Sequence, residues 1–217
     1  MTHDRIGVLV SGHSGGTNFQ AILDAIARDD LHAKVALLVS TNHEHGAVAR
    51  AHSAFVKTKV LPPENTTSQE DWDHRIADAL YQEGVSVVCL AGYLRCISPV
   101  LLEAFPQRIL NVHPALLPSF GGQGMYGIRV HRAVLEHGCK LSGCTVHFVD
   151  GRYDTGPIIA QACVPVEDND TPETLAARVQ MQEHRLYPQC IEWVVQGRLR
   201  MEGRRVRRIT SNGVVPV

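Results

Sequence analysis

The sequence predicts an α/β fold, with a mostly parallel, Rossmann-like central sheet, helices on both of its faces and an antiparallel C-terminal extension. Three observations predict it. Runs of Val, Ile and Leu alternate with segments in which apolar residues recur every three or four positions. The runs contain no polar interruption, which is typical of parallel strands buried on both faces. After about residue 140, two strands follow each other across a short polar turn, as in an antiparallel pair.

The first half of the chain contains five apolar runs that we expect to be strands. They are Ile6–Val10, Lys34–Val39, Lys57–Leu61, Val85–Leu90 and Arg108–Val112. The segments between them carry one apolar stripe each, which predicts helices. These are a helix containing Phe19, Ile22, Leu23 and Ile26, a helix over Gly46–Phe55, and a helix over Ser68–Glu83. The last begins with Ser68 three residues before Asp71, a helix-capping pattern.

The second half has a different texture. SGCTVHFVD and PIIAQACVPV read as two strands, and a helix is expected over Thr171–Tyr187, with Thr171 as its cap and Pro172 in its first turn. The tail RLRMEGRRVRRIT predicts a hairpin that turns at Glu202-Gly203. Its six arginines favour a solvated edge strand over an RNA-binding surface, because alternating charges protect exposed edges.

Composition limits the possible functions. The 217 residues include 21 Lys and Arg and 22 Asp and Glu, a formal charge of −1, which argues against nucleic acid or an anionic membrane as the main partner. Six scattered cysteines without a C-x-x-C pair indicate reduced thiols, and no apolar run is long enough to cross a bilayer, so we expect a cytoplasmic protein. His43-x-His45 lacks further ligands nearby, which favours an exposed loop over a metal site.

A glycine-rich turn follows the first predicted strand and precedes a helix. Ser11–Asn18 reads SGHSGGTN, without the G-K-[ST] of a Walker loop, and with Ser14 interrupting a G-x-G-x-x-G motif. The second strand ends in Ser40-Thr41-Asn42, with no acid for a dinucleotide ribose. A monophosphate at the helix N-terminus fits better, and a tight turn without a ligand is the alternative.

Asn111 and His113 stand at the end of a predicted strand. Residues i and i+2 of a strand share a face, so a carboxamide and an imidazole are presented together, as an oxyanion site requires. Asp154, between Gly151 and Gly156, can reach the same edge on a loop; a turn-forming aspartate is the alternative. Gln180 and Glu183 are neighbours on one helix face, where they either bind a ligand or face solvent.

Five motifs carry a family resemblance that covers the chain from about residue 5 to about residue 205. They are SG(x)nGTN, LAGYLRCISP, NVHPALLP, SGCTVHFVD-x3-D-x-GP and ARVQMQEHRLYP. This pattern resembles the 10-formyltetrahydrofolate-dependent formyltransferases, and within them the phosphoribosylglycinamide formyltransferases. The resemblance implies transfer of a formyl group from 10-formyltetrahydrofolate, as cosubstrate, to the amine of 5-phosphoribosylglycinamide in de novo purine synthesis. It implies small-molecule partners, no metal, no nucleic acid, no membrane, and a monomer or homodimer.

The resemblance also assigns residues, and it divides one domain of 1–217 into a phosphate-binding half (about 5–110) and a catalytic and folate half (111–217). The implied catalytic residues are Asn111, His113 and Asp154. The implied substrate-binding residues are Gly15, Gly16, Thr17, Asn18, Gln180 and Glu183. The implied folate-binding residues are Gln69, Leu94, Arg95, Cys96, Ile97, Asn111, Asp150 and Asp154.

Protonated His113 and Asn111 would then stabilise the tetrahedral oxyanion, and Asp154 would keep the imidazole charged. On this view the pKa of His113 lies above its ordinary value of ~6.5. Gln69 stands where some family members carry Arg, His13 and His131 receive no settled role, and GGQGMYG (121–127) is interpreted as a flexible lid. The alternatives are another folate formyltransferase, a formylfolate hydrolase, and a nucleotide- or RNA-binding module without catalysis.

Overall fold

A computed structural model describes residues 4–12, 14–62, 68–210 and 213–215, so that His13 lies outside the described residues. The strands are β1 (Asp4–Val10), β2 (Ala33–Ser40), β3 (Thr58–Val60), β4 (Val87–Leu90), β5 (Ile109–His113), β6 (Leu141–Phe148), β7 (Ile158–Pro165), β8 (Leu199–Glu202), β9 (Arg205–Thr210) and β10 (Gly213–Val215). The helices are α1 (Thr17–Ala27), α2 (Gly46–Ser53), α3 (Gln69–Gln82), α4 (Pro99–Ala104), α5 (Ile128–Glu136) and α6 (Pro172–Val195).

The predicted fold class is confirmed. Seven strands form one sheet in the order β3-β2-β1-β4-β5-β6-β7, and β8, β9 and β10 form a separate antiparallel sheet. The first five strands of the large sheet are parallel, whereas β5, β6 and β7 pair antiparallel. The register of β5 against β6 sets Asn111 opposite His147 and His113 opposite Thr145.

Both faces of the large sheet are covered by helices, as expected. On β1, Ile6, Val8 and Val10 belong to the core that contains the buried residues of α1, α2 and α6. Leu9 belongs to the opposite core, with Trp72 of α3 and other buried residues of α3 and α4. The alternation of side chains along a strand therefore distributes β1 over two hydrophobic layers.

The predicted end of the last long helix is wrong. α6 continues past Tyr187 and Pro188 to Val195, although a proline inside a helix costs about 3 kcal/mol. Its last turns bury Cys190, Ile191 and Trp193. Since a fully buried apolar side chain contributes about 1.5–3 kcal/mol, packing outweighs the loss at the proline.

Three further elements were not predicted from the sequence. α4 has only six residues, too few for a clear periodic pattern. α5 directly follows the glycine-rich segment, and its apolar stripe of Val130 and Val134 is interrupted by the buried His131. β10 adds a third strand to the predicted C-terminal hairpin. Within the described ranges, no helix is long and apolar enough to cross a lipid bilayer.

The strand order fixes where a ligand can bind. From β1 the chain leads outward to β2 and β3 on one side, and then returns to β4 on the other side of β1. In open α/β sheets, ligands bind beyond the carboxyl ends of the strands at such a switch point. Ser11, Gly92 and Asn111 lie at the ends of β1, β4 and β5, and all three line the same cavity.

Candidate functional site

A cavity of about 930 Å³ opens at this edge of the sheet. This size is typical of sites for small organic ligands. The residues that line it come from the ends of β1, β4 and β5, the glycine-rich segment 122–127, the start of α5, the loop before β7 and one face of α6. Among them are Ser11, Gly12, Ser14, Thr17, Asn18, Tyr93, Leu94, Asn111, His113, Met125, Tyr126, Arg129, His131, Tyr153, Asp154, Ala176, Gln180 and Glu183.

The turn before α1 has the conformation that its glycines allow. Gly16 has a φ of +66°, and a Cβ there would lie 2.6 Å from the backbone nitrogen of Ala47, so no larger residue fits. No side chain among the described residues caps the N-terminus of α1. Its first backbone N–H groups and the positive end of the helix dipole are therefore available to an anion.

His45 connects this turn to the start of α2. It is buried, and its Nδ1 accepts a hydrogen bond from the N–H of Ala47 at 3.1 Å, which caps α2. Because Nδ1 is the acceptor, the proton resides on Nε2, which donates to the hydroxyl of Ser14 at 3.0 Å. The interpretation of His43-x-His45 as an exposed loop is therefore wrong for His45, which links the turn to α2.

The predicted substrate-binding side chains meet at the N-terminus of α1. Nε2 of Gln180 donates to the hydroxyl of Thr17 at 3.0 Å, and Nδ2 of Asn18 donates to Oε2 of Glu183 at 2.9 Å. Glu183 is buried, and burial raises the pKa of its carboxyl although the Asn18 hydrogen bond lowers it. Oδ1 of Asn18 is buried without a partner among the described residues. An unsatisfied acceptor at the cavity wall is suited to a ligand that donates a hydrogen bond.

Asn111, His113 and Asp154 come together in the same cavity. Nδ1 of His113 lies 3.5 Å from Oδ2 of Asp154, and Nδ2 of Asn111 lies 3.5 Å from Oδ1 of the same carboxylate. The sequence predicted Asn111 and His113 on one strand face, and both line the cavity. Asp154 has a φ of +56°, and its Oδ2 accepts a hydrogen bond from the N–H of Gly122 at 2.9 Å.

The protonation state of His113 differs from the expectation. Its Nε2 lies 2.8 Å from the carbonyl oxygen of Phe120, which can only accept, so Nε2 carries a proton. Burial lowers the pKa of His113 and outweighs the opposing effects of Asp154 and the Phe120 carbonyl. The predicted rise above the ordinary value is therefore wrong, because desolvation of the charged ring exceeds the attraction of a carboxylate at 3.5 Å.

Asp154 remains ionised at neutral pH. Burial raises the pKa of its carboxyl, but the contacts with His147, His113 and the N–H of Gly122 together lower it below its ordinary value. A buried carboxylate that keeps its charge next to a neutral imidazole can stabilise a proton that arrives on that imidazole.

Two further histidines, His147 and His131, interact with Asn111 and His113. Nδ1 of His147 donates to the carbonyl of Phe148 at 2.8 Å, which leaves Nε2 to accept a hydrogen bond from Nδ2 of Asn111 at 3.2 Å. This contact orients the carboxamide of Asn111. His131 is buried, its Nδ1 has no partner among the described residues, and burial together with the nearby His113 lowers its pKa to about 4.

Some of the residues predicted to bind folate line the cavity, and the others do not. Leu94 lines the cavity, whereas Ile97 is buried in the core below α3 and α4. Arg95 stacks on the ring of Trp72 at 4.5 Å and donates to Oε1 of Gln69 at 2.7 Å. Sγ of Cys96 lies 3.6 Å from the carbonyl oxygen of Gly151, and Asp150 accepts from the hydroxyl of Thr155 at 2.7 Å. The other five residues predicted to bind folate do not line the cavity. They are Gln69, Arg95, Cys96, Ile97 and Asp150.

Sequence reasoning missed the contacts that the segment 120–122 makes with the centre. The carbonyl of Phe120 and the N–H of Gly122 hold His113 and Asp154, and a Cβ on Gly121 would lie 2.6 Å from Cδ2 of Leu117. The two adjacent glycines were the signal for this close approach. In the described ranges, no group of three or more His, Cys, Asp or Glu side chains is placed to hold a metal ion.

Comparisons with known proteins agree on one family. Residues 4–191 match the model of a family described as formyl transferase. The chain is 44% identical over 202 residues to a chloroplastic phosphoribosylglycinamide formyltransferase of Arabidopsis thaliana, covering 90% of this chain and 67% of that protein. It is 38% identical over 196 residues to phosphoribosylglycinamide formyltransferase of Escherichia coli, with 90% and 89% covered.

A solved structure supports the same relationship. Glycinamide ribonucleotide transformylase 1 of Symbiobacterium toebii superposes with a TM-score of 0.90 at 45% identity, covering 96% of this chain and 95% of that one. The structural similarity therefore covers nearly the whole chain.

Proposed function

The chain belongs to the formyl transferase family, and on that premise we propose that it transfers a formyl group from 10-formyltetrahydrofolate to the amine of 5-phosphoribosylglycinamide, the reaction that yields the N-formyl ribonucleotide in de novo purine synthesis. One observation carries the proposal. Asn111, His113 and Asp154 line the same cavity as Thr17 and Asn18 at the uncapped N-terminus of α1. A substrate that carries both an amine and a phosphate needs these polar side chains near its amine and the helix N-terminus near its phosphate.

The cavity walls suit both small molecules. The turn at Gly16–Asn18 would bind the phosphate, and the buried acceptor Oδ1 of Asn18 fits a sugar hydroxyl, with Glu183 beside it. Leu94 and Tyr153 provide an apolar wall on which a fused aromatic ring such as pterin can lie. The folate cosubstrate supplies the formyl carbon and a nitrogen that leaves. Arg95, Cys96, Ile97 and Asp150, with Gln69, would shape the wall behind Leu94.

His113 acts on the proton of the attacking amine. The imidazole is neutral in the free protein because burial lowers its pKa, so it can accept the proton that the amine loses. Asp154 stabilises the imidazolium that results, across the 3.5 Å between Oδ2 and Nδ1. His113 then returns the proton to the departing nitrogen, and the site is restored.

Asn111 stabilises the oxygen of the transferred group. Its amide can donate to the formyl oxygen as negative charge develops there. Nδ2 donates to His147 at 3.2 Å and more weakly to Asp154 at 3.5 Å. The weaker hydrogen bond to Asp154 is therefore the one that is replaced by a hydrogen bond to the formyl oxygen. The fixed amide needs little reorganisation during the reaction.

We also propose a cytoplasmic location and a monomer or homodimer that acts on small molecules alone. The E. coli relative bears no organelle label, whereas the Arabidopsis relative is described as chloroplastic. Fluorescence microscopy of a tagged chain and sedimentation of the purified protein would test these two points.

A direct assay tests the reaction. The purified protein is mixed with 5-phosphoribosylglycinamide and 10-formyltetrahydrofolate, and release of tetrahydrofolate is followed by absorbance, with each substrate omitted in turn. We expect release only when both are present. Release that does not depend on the ribonucleotide would identify a hydrolase, and no release would refute the proposal.

A further inference from the structure

The charges around the cavity are unbalanced. Among the described residues that line it, Arg129 carries the one guanidinium and no lysine is present, whereas Asp154 and Glu183 are acidic. The two imidazoles are neutral at pH 7, because burial lowers the pKa of His113 and of His131. Apart from the partial charge at the start of α1, a dianionic ligand finds one cation in this cavity.

Arg129 lies where a cation is otherwise unfavourable. It is the second residue of α5, whose N-terminus carries the positive end of the helix dipole and has no acidic residue in its first turn. Its side chain is exposed and stacks on the ring of Tyr126, with 4.8 Å between the guanidinium carbon and the ring centroid. The stacking preorganises the guanidinium at the mouth of the cavity.

We propose that Arg129 binds the phosphate of the ribonucleotide, opposite the backbone N–H groups of α1. This inference rests on the proposed function. A guanidinium matches a phosphate with two parallel hydrogen bonds, and the bound dianion compensates the unfavourable position at the start of α5. Tyr126 and Arg129 form one arm, and the arm closes over the phosphate from the side of the cavity that faces solvent.

The packing of the helices favours the phosphate over a carboxylate of the folate. α5 packs on α6, and α6 packs on α1. On α6, Ala176 and Gln180 line the cavity one turn apart, and Gln180 donates to Thr17 at the start of α1. Arg129 is thus connected through α6 to the phosphate turn. The residues expected to hold folate lie at the start of α3, in the loop after β4, on β5 and in the loop before β7.

Paired kinetics with two substrates test the proposal. Steady-state kcat/KM is measured for the wild type and Arg129→Ala, once with phosphoribosylglycinamide and once with the riboside that lacks the phosphate. With the phosphorylated substrate we expect kcat/KM to fall by about ten- to a hundredfold through KM, the usual effect of losing a charged hydrogen-bonded pair. With the riboside we expect a change of less than about twofold, because no phosphate remains to be bound.

Two further variants sharpen the result. Arg132→Ala removes an exposed arginine of the same helix that does not line the cavity, and it should behave as the wild type with both substrates. Arg129→Lys should recover part of the affinity, because lysine keeps the charge but not the paired donors. Melting temperatures confirm that all variants are folded.

The outcomes separate the two proposals. Arg129→Ala could lower kcat/KM equally with the phosphorylated substrate and the riboside, or raise the KM for the folate alone. Either result would overturn the role of Arg129 while leaving the proposed reaction intact. If the wild type itself does not transfer the formyl group, the reaction fails. Isothermal titration of phosphoribosylglycinamide to the wild type and Arg129→Ala then tests the arginine separately, and equal affinities would overturn its role.

Discussion

Nδ1 of His113 lies 3.5 Å from Oδ2 of Asp154, in a pocket where both side chains are almost fully buried. This separation is longer than a normal hydrogen bond, yet close enough for the carboxylate to attract a proton on the ring. Burial nevertheless keeps the imidazole neutral in the free protein. In the mechanism that we propose, the pair accepts a proton during turnover and does not hold one beforehand.

Removing the charge of Asp154 should slow the reaction and preserve binding. In Asp154→Asn we expect kcat to fall by about 10²–10⁴, the usual contribution of a general acid–base group, because the imidazolium of His113 is no longer stabilised. Both KM values should change little. Asp168→Asn, at an exposed carboxylate, is the matched control and should keep full activity. Near-normal kcat in Asp154→Asn would remove the carboxylate from the mechanism.

His113 should titrate below the ordinary histidine value. Burial lowers its pKa and Asp154 opposes that shift, so Asp154→Asn should lower the pKa further. The proposed mechanism requires the neutral ring, so activity should fall on the acidic side of the profile, below pH ~6.5. NMR titration of the ring carbons in the free protein measures the pKa, and the pH profile of kcat/KM measures the fall in activity. A pKa above the ordinary value in the free protein would contradict the desolvated site.

His131 should make the protein sensitive to acid. Its pKa is about 4 when folded, against 6.5 when unfolded, so between these values the unfolded chain binds more protons and stability falls as pH decreases. At pH 5 this pKa shift lowers the free energy of unfolding by about 2 kcal/mol, whereas at pH 7.5 its effect is negligible. Urea unfolding measures the fall in the free energy of unfolding between pH 7.5 and pH 5. This fall should be about 2 kcal/mol smaller in His131→Gln than in the wild type. Equal losses would show that His131 does not titrate as the fold implies.

A methyl group on Gly16 should disturb the phosphate turn. Gly16 and Gly138 have similar positive φ values, +66° and +64°, but only at Gly16 would the new Cβ approach backbone, 2.6 Å from the nitrogen of Ala47. Gly138→Ala should cost about 1–2 kcal/mol of unfolding free energy through the left-handed conformation alone. Gly16→Ala should cost about 1–3 kcal/mol more and raise the KM for the ribonucleotide. Equal effects of the two variants would show that the close approach is unimportant.

The sequence predicts the large sheet and the position of the site because both depend on local patterns. Val, Ile and Leu runs locate the parallel strands, and the spacing of Asn111 and His113 places them on one strand face. The end of α6 was not predictable in this way, since the penalty at Pro188 is local whereas the burial of Trp193 depends on the assembled core.

The electrostatics of the site were also beyond the sequence. A carboxylate near an imidazole suggested a raised pKa for His113, and the structure gives a lowered one, because the depth of burial is set by residues far apart in the chain. The unpredicted carbonyl of Phe120, seven residues after His113, fixes which ring nitrogen carries the proton. The role of His45 likewise depends on the contact between α2 and the turn at Ser14.

The most direct test of the account follows the formyl carbon itself. The protein is incubated with 5-phosphoribosylglycinamide and 10-formyltetrahydrofolate labelled with ¹³C in the formyl group, and the products are observed by NMR. We predict that the label appears as an N-formyl group on the glycinamide nitrogen, that it does so in the wild type, and that it is nearly absent in Asp154→Asn over the same time. A label that appears as free formate, or that remains on the folate, would contradict formyl transfer by this site.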